Sequence, residues 1–310
     1  MKLAFVVDPL DHLKAYKDSS IAMMREAQRR GHEVHALEAR DMAVRDGAVR
    51  ARTRKLAVTD DDSAWYRADD EREEVLARFD LVMMRKDPPF DQEYYYATLL
   101  LDRVEAQGAR VVNSPRGLRD WNEKLSILGF PALTPPTLVS ADMARVHEFI
   151  EAQGDVVVKK LDGMGGAMIF RVKSADVNRN VIVETITDWG RRTVMAQRFI
   201  PEIAQGDKRV LVIDGKPFSH CLARIPKAGE TRGNLAAGGI GRAQPISARD
   251  REIAQAVGKD LVKAGIVFAG LDVIGDWLTE INVTSPTCIV EIAQQTGKNA
   301  ASDLMDALES

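Results

Sequence analysis

Residues 156–172 read VVVKKLDGMGGAMIFRV, and this segment indicates most about the fold. Branched apolar residues typical of a buried strand lead into two lysines, and Gly163, Gly165 and Gly166 then separate this strand from a second one. Glycines let the backbone approach a ligand closely and point N–H groups at phosphate oxygens, while lysine adds compact positive charge. The segment therefore predicts a hairpin that can hold a triphosphate, although a glycine-rich hairpin without a ligand fits the local pattern equally well.

Short predicted strands surround this hairpin on both sides. They follow one another closely and are joined by turn residues such as Asp214-Gly215, which predicts an antiparallel sheet. The strands expected on this basis are Val156–Lys159, Ile169–Val172, Thr193–Phe199, Lys208–Ile213 and Phe218–Ile225. A helix over Ala248–Lys263, ended by Gly265, leads into two more strands, Val267–Val273 and Leu278–Val283.

The first third of the chain shows a different alternation, of single strands with helices. The predicted strands are Leu3–Val7, His32–Leu37, Asp80–Arg85 and Val111–Asn113. The predicted helices are Asp18–Arg30, which Gly31 ends, and Tyr94–Gln107, which Gly108 ends. Because such alternation is typical of parallel sheets covered by helices, an α/β fold is expected here.

Two irregular stretches flank these elements. A polar stretch follows the second strand and is interpreted as a solvated hairpin or loop in preference to an anion-binding patch; it contains Arg50, Arg52, Arg54, Lys55 and Asp60–Asp62. A helix is expected near Leu118–Leu128. After it, Pro131, Pro135 and Pro136 break helical continuity and mark the expected boundary between two units.

Composition excludes several classes of protein. With 310 residues, 45% hydrophobic and 29% charged, the chain can form two globular units. A net charge of −3 gives no general affinity for nucleic acid or anionic lipid, and the apolar start is far shorter than a membrane span. Cys221 and Cys288 lack a CxxC spacing, so neither a disulfide framework nor a zinc site is expected, and a reducing cytoplasm suits them.

Residues 271–286, LDVIGDWLTEINVTSP, place polar side chains within apolar strands. Glu280 and Asn282 lie two apart and share a face, which offers the hard oxygen ligands that Mg²⁺ prefers. Asp272 joins them only if the turn allows it. A two-residue Gly275-Asp276 turn would set Asp272 opposite Thr279, whereas a three-residue loop with a bulge would set it opposite Glu280. Exposed polar positions on a half-buried sheet are the alternative interpretation.

Residues 225–242, IPKAGETRGNLAAGGIGR, are rich in glycine and have little to pack. The stretch is expected to be mobile when no ligand is bound. Arg232 within it, with Arg209 and Arg224 on neighbouring strands, could meet a phosphoryl group or a carboxylate when the loop closes and excludes water. A disordered surface loop without that role is the alternative.

Six motifs together resemble the bacterial glutathione synthetase family, nearly from end to end. They are MRKDPPFD (84–91), NEKL (122–125), LDGMGGA (161–167), LARIP (222–226), ETRGNLAAGG (230–239) and TEINVTSPT (279–287). ETRGNLAAGG and TEINVTSPT are especially specific, whereas the glycine hairpin alone would indicate only ATP-grasp enzymes in general. The resemblance implies an N-terminal parallel-sheet pre-ATP-grasp domain over residues 1–121 and an ATP-grasp domain with antiparallel sheets over 122–310. The latter includes a lid subdomain at about 130–200 and a mobile loop at 226–242.

The same resemblance implies a reaction and its participants. ATP, γ-glutamylcysteine and glycine give glutathione, ADP and phosphate through an acyl phosphate, with two Mg²⁺ ions, or Mn²⁺, as cofactors. The enzyme is expected in the cytoplasm as a homotetramer, with no nucleic acid or membrane partner.

Site residues also follow from the resemblance. The residues expected to bind ATP are Lys124 and Lys159, the glycine loop with Gly163, Met164, Gly165 and Gly166, the adenine pocket with Gln197, Arg198, Phe199 and Ile200, and Asp207 at the ribose. For metal they are Asp272, Glu280 and Asn282. For the substrates they are Arg85, Lys86, Arg209, Arg224, Arg232 and Ser285. Arg209, Arg224, Lys159 and Asn282 are expected to take part in catalysis.

Three questions stay open in the sequence. Lys160 stands where proline commonly follows the strand-end lysine in this family. Because adjacent strand residues face opposite ways, only one of Lys159 and Lys160 can face the nucleotide, and Lys159 is preferred for its register. Another ATP-grasp carboxylate–amine ligase, such as one joining D-alanines or adding glutamate to a protein terminus, is the alternative enzyme. A non-catalytic nucleotide-binding module is the alternative from another class.

Overall fold

The structure is a computed structural model that describes residues 1–163, 165–230, 233, 235 and 238–310. Met164 and Arg232, both predicted site residues, lie outside these ranges. Most of the helices begin at a side-chain cap, as α1 does at Asp18, which accepts from the backbone N–H groups of Ser20 and Ile21. The helices are α1 Ser19–Arg29, α2 Gln92–Ala106, α3 Pro115–Asp120, α4 Met143–Gln153, α5 Arg179–Ile186, α6 Ala248–Lys263, α7 Ile289–Thr296 and α8 Ala300–Glu309.

The N-terminal sheet combines a parallel centre with an antiparallel extension. Its strands are β1 Lys2–Val6, β2 Glu33–Leu37, β3 Met42–Arg45, β4 Ala48–Val58, β5 Tyr66–Ala68, β6 Arg72–Val75, β7 Leu81–Met84 and β8 Arg110–Val112. The centre runs β2-β1-β7-β8 with parallel pairing, as the alternation of strands and helices predicts. The polar stretch forms β4, which pairs antiparallel with β2, β3, β5 and β6.

The exposed face of β4 carries alternating arginines that are already paired with acids. Arg50 lies 3.6 Å from Glu73, and Arg52 lies 3.0 Å from Asp41. Because neighbouring carboxylates neutralise this row, it offers no anion-binding patch, in agreement with the solvated-hairpin interpretation.

The remaining strands form two antiparallel sheets. The small-lobe sheet has the order β11-β10-β12-β9, from β9 Thr137–Ser140, β10 Asp155–Lys160, β11 Ile169–Lys173 and β12 Val194–Arg198. The large-lobe sheet has the order β15-β14-β13-β16-β17, from β13 Asp207–Ile213, β14 Lys216–Ile225, β15 Ile240–Pro245, β16 Phe268–Ile274 and β17 Trp277–Asn282. A single antiparallel sheet over residues 156–225 was therefore wrong, because the chain changes sheets between β12 and β13.

The large lobe and the N-terminal sheet are packed as one body. Leu3 and Phe5 of β1 share a buried core with Leu211 and Phe268 of the large lobe. The buried Asn113 at the end of β8 adds polar contacts. Its Oδ1 accepts from the N–H groups of Val267 and Phe268 at 2.9 and 3.0 Å, and its Nδ2 donates to the carbonyls of Phe268 and Val283 at 2.8 and 2.7 Å.

The small lobe has a core of its own. Helices α4 and α5 cover one face of the small-lobe sheet, and Val146, Val156, Val172 and Val183 belong to a separate buried cluster there. Its hydrophobic stabilisation is therefore largely independent of the rest of the molecule.

The helix predicted near Leu118–Leu128 was wrong as a single element. The chain forms α3 up to Asp120 and then a separate 3₁₀ turn over Leu125–Gly129. Between them, Asn122 Oδ1 accepts from the backbone N–H groups of Lys124 and Leu125, each at 3.0 Å. This local side-chain bond competes with continuous helix and redirects the backbone.

The turn between β16 and β17 combines parts of both predicted alternatives. The turn has two residues, Gly275-Asp276, yet Asp272 pairs with Glu280 because Thr279 forms a bulge in β17. The expectation that an Asp272–Glu280 pairing needs a three-residue loop was therefore wrong. The bulge supplies the extra residue within the strand. Among the residues that the structure describes, no helix has both the length and the apolar character needed to cross a membrane.

Candidate functional site

A cavity of about 310 Å³ lies between the small-lobe and large-lobe sheets. Most of the predicted site residues in the described ranges line it: Lys124, Lys159, Gly163, Gly165, Gly166, Gln197, Arg198, Phe199, Ile200, Asp207, Arg209, Arg224, Asp272, Glu280, Asn282 and Ser285. The cavity thus brings together residues up to about two-thirds of the chain apart, from Asp87 to Cys288.

Two lysines converge on one carboxylate at the centre of the cavity. Lys159 Nζ lies 3.2 Å from Glu280 Oε1, and Lys124 Nζ lies 3.7 Å from the same oxygen. Lys124, only 2% exposed, also pairs with Glu123 and donates to the carbonyl of Gly163 at 2.7 Å. These contacts hold two cations beside the glycine hairpin, where polyphosphate oxygens could replace the carboxylates.

Strand alternation decides between the adjacent lysines. Lys159 lines the cavity together with Val157, two residues earlier on β10, whereas Val156 and Val158 point into the small-lobe core. Lys160 faces away and pairs with Asp162 at 3.2 Å. Lys159 is therefore the strand-end lysine that can reach a ligand in the cavity.

Two arginines and two aspartates form a buried network on the large-lobe sheet. Register creates it, because Arg209 lies across from Asp272, and Asp207 lies across from Arg224. Arg209 Nε and Nη2 lie 2.6 and 3.3 Å from the two oxygens of Asp272, and Arg224 Nη2 lies 2.9 Å from Asp272 Oδ2. Arg224 also pairs with Asp207. The fork of a guanidinium suits such bidentate contacts.

The two aspartates of this network have opposite electrostatic behaviour. Burial alone would raise the pKa of Asp272, but Arg209 and Arg224 hold it well below its usual range. Burial raises the pKa of Asp207 to about 7, and Arg224 offsets this only in part. In the described part of the chain, Asp207 Oδ1 has no hydrogen-bond partner. Asp272 is thus fixed as an anion, whereas Asp207 keeps one buried oxygen without a hydrogen-bond partner among the described residues.

The residues predicted to hold metal share one face of the β16–β17 hairpin. Asp272 pairs across the strands with Glu280, and Asn282 follows two residues after Glu280 on the same side. Asn282 Nδ2 donates to the carbonyl of Gly270 at 3.2 Å, which directs Oδ1 away from that carbonyl. Within the described ranges, no group of three or more His, Cys, Asp or Glu side chains could hold a metal alone. Two carboxylates with an amide oxygen fit Mg²⁺ when substrate phosphates complete its ligands.

Part of the cavity wall is apolar. Val157 and Ile169 of the small lobe, Ile203, and Ile274 of the large lobe line it together with Phe199. An aromatic and aliphatic slot of this kind suits a planar base, because such surfaces exclude water and pack against both faces of a ring.

Arg85 and Lys86 do not line the cavity. Arg85 is buried, with Nε donating to Ser20 Oγ at 3.1 Å and Nη2 donating to the carbonyl of Pro286 at 3.0 Å. Lys86 lies 3.6 Å from Asp8. The direct peptide contact predicted for Arg85 is therefore not supported by its position, because its guanidinium instead joins α1 to the segment that follows Ser285.

Sequence reasoning missed several cavity residues. Glu123, Cys288, Thr279 and Thr287 all line it, as does Asp87. Burial and the nearby charge of Glu280 raise the pKa of Glu123. Glu123 and Asp87 stand inside the quoted motifs NEKL and MRKDPPFD, so motif position was an available signal. Cys288 gave none, because a lone cysteine is most often a buried apolar residue.

Known structures share this architecture. D-cycloserine synthetase DcsG aligns with a TM-score of 0.71 at 16% identity, covering 99% of this chain and 98% of that one. The ATP-grasp ligase PsnB complexed with minimal precursor aligns with a TM-score of 0.65 at 19% identity, covering 99% and 98%. At such identities the likeness shows the fold alone. With the cavity between its two sheets, that fold defines the class of ATP-grasp proteins.

Sequence comparison identifies the family. The model of the prokaryotic glutathione synthetase N-terminal domain matches residues 1–119, and that of the prokaryotic glutathione synthetase ATP-grasp domain matches residues 123–297. The chain belongs to the prokaryotic glutathione synthetase family. The glutathione synthetase of Nitrosomonas europaea is 56% identical, covering 100% of this chain and 98% of the relative. That of Vibrio parahaemolyticus is 53% identical with the same coverage.

Proposed function

We propose that this chain joins γ-glutamylcysteine to glycine, using ATP and releasing glutathione, ADP and phosphate. The convergence of four cations and three oxygen ligands in one cavity carries the proposal. Relatives named glutathione synthetase, 52–56% identical across the whole chain, support the choice of substrates.

The chemistry requires activation of a carboxylate. An oxygen of the dipeptide's terminal carboxylate attacks the γ-phosphorus of ATP, a new O–P bond forms, and the bond to the β-phosphate oxygen breaks to release ADP. The glycine amine then attacks the acyl carbon, phosphate leaves, and the amine loses a proton. Positioning and charge neutralisation dominate the first step, so no nucleophilic side chain is needed.

The two lysines and the two arginines would contact different groups in this reaction. Lys124 and Lys159 lie beside the glycine hairpin and would contact the ATP phosphates. Arg209 and Arg224 lie on the large-lobe sheet and would stabilise charge on the transferred phosphoryl group and the acyl phosphate. All four are held by carboxylates in this structure, so a phosphate meets cations that are already positioned.

Asp272, Glu280 and Asn282 would hold Mg²⁺, two ions by family resemblance, with Mn²⁺ as the alternative. When bound, the metal would neutralise charge on the phosphates that these three residues face. Adenine would contact Gln197, Arg198, Phe199 and Ile200. Asp207, which lines the cavity, would approach the ribose.

The substrate side is built from the N-terminal unit and the segment after β17. Ser285 lines the cavity and would help to seat a substrate carboxylate, and Lys86 lies next to the cavity-lining Asp87. Arg85 would act indirectly, through the carbonyl of Pro286. Arg232 is proposed to approach the phosphoryl group from the loop at 226–242.

Further parts of the proposal concern organisation. Residues 1–121 would form the substrate-side unit, and residues 122–310 the ATP-grasp unit with its lid at about 130–200. By resemblance, we also propose a homotetramer in the cytoplasm.

An ADP-release assay tests the proposed function. Release should require ATP, γ-glutamylcysteine and glycine together, and omission of either substrate should reduce it to background. Hydroxylamine in place of glycine should trap the acyl phosphate as a hydroxamate. Equal release with D-alanine, or release independent of γ-glutamylcysteine, would point to a different ligase.

A further inference from the structure

An arginine outside the cavity covers one face of an aromatic residue that lines it. Arg171 on β11 places its guanidinium carbon 3.6 Å from the centroid of the Phe199 ring. Arg171 does not line the cavity, whereas Phe199 does. Because the guanidinium occupies one face of the ring, Phe199 presents only its other face or its edge to a ligand.

Asp155 holds both members of this stack. Its Oδ1 and Oδ2 accept from Arg171 Nε and Nη2 at 3.0 and 2.6 Å, a bidentate contact that fixes the plane of the guanidinium. Its backbone carbonyl accepts from the N–H group of Phe199 at 2.9 Å. The positions of the Phe199 ring and of the Arg171 guanidinium that covers it therefore both depend on Asp155.

Register explains why the stack forms at this place. Arg171 pairs with Val157 across β10 and β11, and Val157 pairs with Gln197 across β10 and β12. Paired residues share a face of an antiparallel sheet, so Arg171 lies on the cavity side of the small lobe, next to residues that line the apolar part of the cavity wall.

We propose that Arg171 and Asp155 are positioning residues for the nucleotide, which hold the Phe199 ring as a fixed wall of the slot for the base. The proposal rests on the proposed function only in that the cavity binds ATP. The side chain of Arg171 is 34% exposed, so its ion pair with Asp155 adds little to stability. Arg171 instead orders the Phe199 ring before a ligand binds. Without the guanidinium, the ring would keep its orientational freedom in the empty cavity, and binding of a base would have to remove it.

Equilibrium binding of Mg²⁺ with the ATP analogue AMPPNP tests this proposal without turnover. Arg171→Ala should weaken binding about three- to tenfold, the size expected for loss of one cation–π contact that orders a binding surface. Arg171→Lys keeps the charge but not the planar fork, so its affinity for the analogue should lie between that of Arg171→Ala and that of the parent. Asp155→Asn should weaken binding about two- to threefold. In steady state, KM for γ-glutamylcysteine should not change.

A double-mutant cycle separates positioning from general stability. In a Phe199→Leu background, Arg171→Ala should change the Kd less than about twofold, because the ring that it holds is gone. The matched control is Arg179→Ala, which removes an arginine paired with Glu151 on the helices of the same lobe, away from the cavity. This control should bind the analogue like the parent.

Three results would overturn the proposal: parental affinity in Arg171→Ala, a full Arg171→Ala effect in the Phe199→Leu background, or equal loss in Arg179→Ala. If the parent binds AMPPNP but releases no ADP when both substrates are present, the proposed function is contradicted. The affinities of the variants would still test the role of Arg171. A parent that binds no AMPPNP would overturn both proposals.

Discussion

The two lobes that face each other across the cavity are built in different ways. The large lobe shares its buried core with the N-terminal sheet, through residues such as Phe5 and Leu211. The small lobe is held together by a separate cluster that includes Val158 and Ile186. A lobe with its own core can move as a unit, whereas the large lobe cannot move without the N-terminal sheet.

Chemical groups are divided between the lobes in the same way. Arg209, Arg224 and Asp272 are all on the large lobe and buried, held by one another. The small lobe contributes part of the apolar slot, through Val157 and Ile169, and also Lys159, whose contact with Glu280 at 3.2 Å joins the two lobes. The difference indicates that the buried charge network belongs to the lobe that shares its core with the N-terminal sheet, whereas the small lobe adds apolar side chains with Lys159 and Arg198.

The largest effect is expected from Asp272→Asn. Turnover should fall about 10³-fold or more, because the change removes a predicted metal ligand and the partner of two arginines. The free energy of unfolding should also fall by about 3–5 kcal/mol, since buried guanidinium charge is left uncompensated. ADP release and urea unfolding measure the two effects.

The matched control is Asp276→Asn in the exposed turn of the same hairpin. It should leave both quantities near parental values. If Asp272→Asn reduced turnover without loss of stability, the buried network would not be part of what makes the large lobe rigid.

Lys159→Ala should separate activity from stability. We expect turnover to fall about 10²- to 10³-fold through loss of a phosphate contact, with a change in stability of about 1 kcal/mol, because Lys124 remains near Glu280. Glu280→Gln should likewise abolish turnover with the fold intact.

Lys160→Ala is the control, since its side chain pairs with Asp162 outside the cavity. It should keep near-parental ADP release. Greater loss of activity in Lys160→Ala than in Lys159→Ala would reverse the assignment of the strand-end lysine.

Core substitutions test the independence of the lobes directly. Leu271→Ala should destabilise the whole chain by about 2–5 kcal/mol, whereas Val158→Ala should cost about 1–3 kcal/mol. Hydrogen exchange should rise throughout the N-terminal sheet and large lobe in the first variant and only within the small lobe in the second. Exchange that rises equally everywhere in Val158→Ala would show that the lobes unfold together.

The smallest effect is expected from thiol reagents at pH 8. Burial raises the pKa of Cys221 to about 12 and also raises that of Cys288. At pH 8 the protonated thiol therefore dominates, and only about one Cys221 side chain in 10⁴ is a thiolate. Because the thiolate is the reactive form, the folded protein should react slowly with Ellman's reagent. Both thiols should react at once in urea. Rapid reaction of the folded protein would mean that the large lobe opens readily.

Much of the fold could be predicted because its signals are local. The bounds of α6 agree with prediction because Ser247 caps its start and Gly265 follows its end. The pattern of lysines and glycines in residues 156–172 likewise predicted the strand on each side of the hairpin. By contrast, the division into two antiparallel sheets followed only from the family resemblance, which the structure confirms, since a strand sequence does not say which neighbour it pairs with.

The candidate site could be predicted by residue type but not by arrangement. The bulge at Thr279 brings Asp272 opposite Glu280, yet β17 carries no sequence sign of an extra residue. Arg85, expected to contact substrate, is buried because α1 and the segment after Ser285 close over it. The Arg171–Phe199 stack joins residues on different strands, so no local pattern could reveal it.

The amino-acid sequence alone predicts the kinds of element and the chemistry that they carry: strands ended by lysine and glycine, acids within apolar strands, and motifs of one enzyme family. Which side chains meet, which carboxylates hold which cations, and which lobe carries them depend on the folded chain. These two kinds of information differ in the distance along the chain over which the forces act. Hydrophobic period, caps and turns act over a few residues, whereas the meeting of side chains far apart in sequence depends on the packing of sheets that the whole chain must form first.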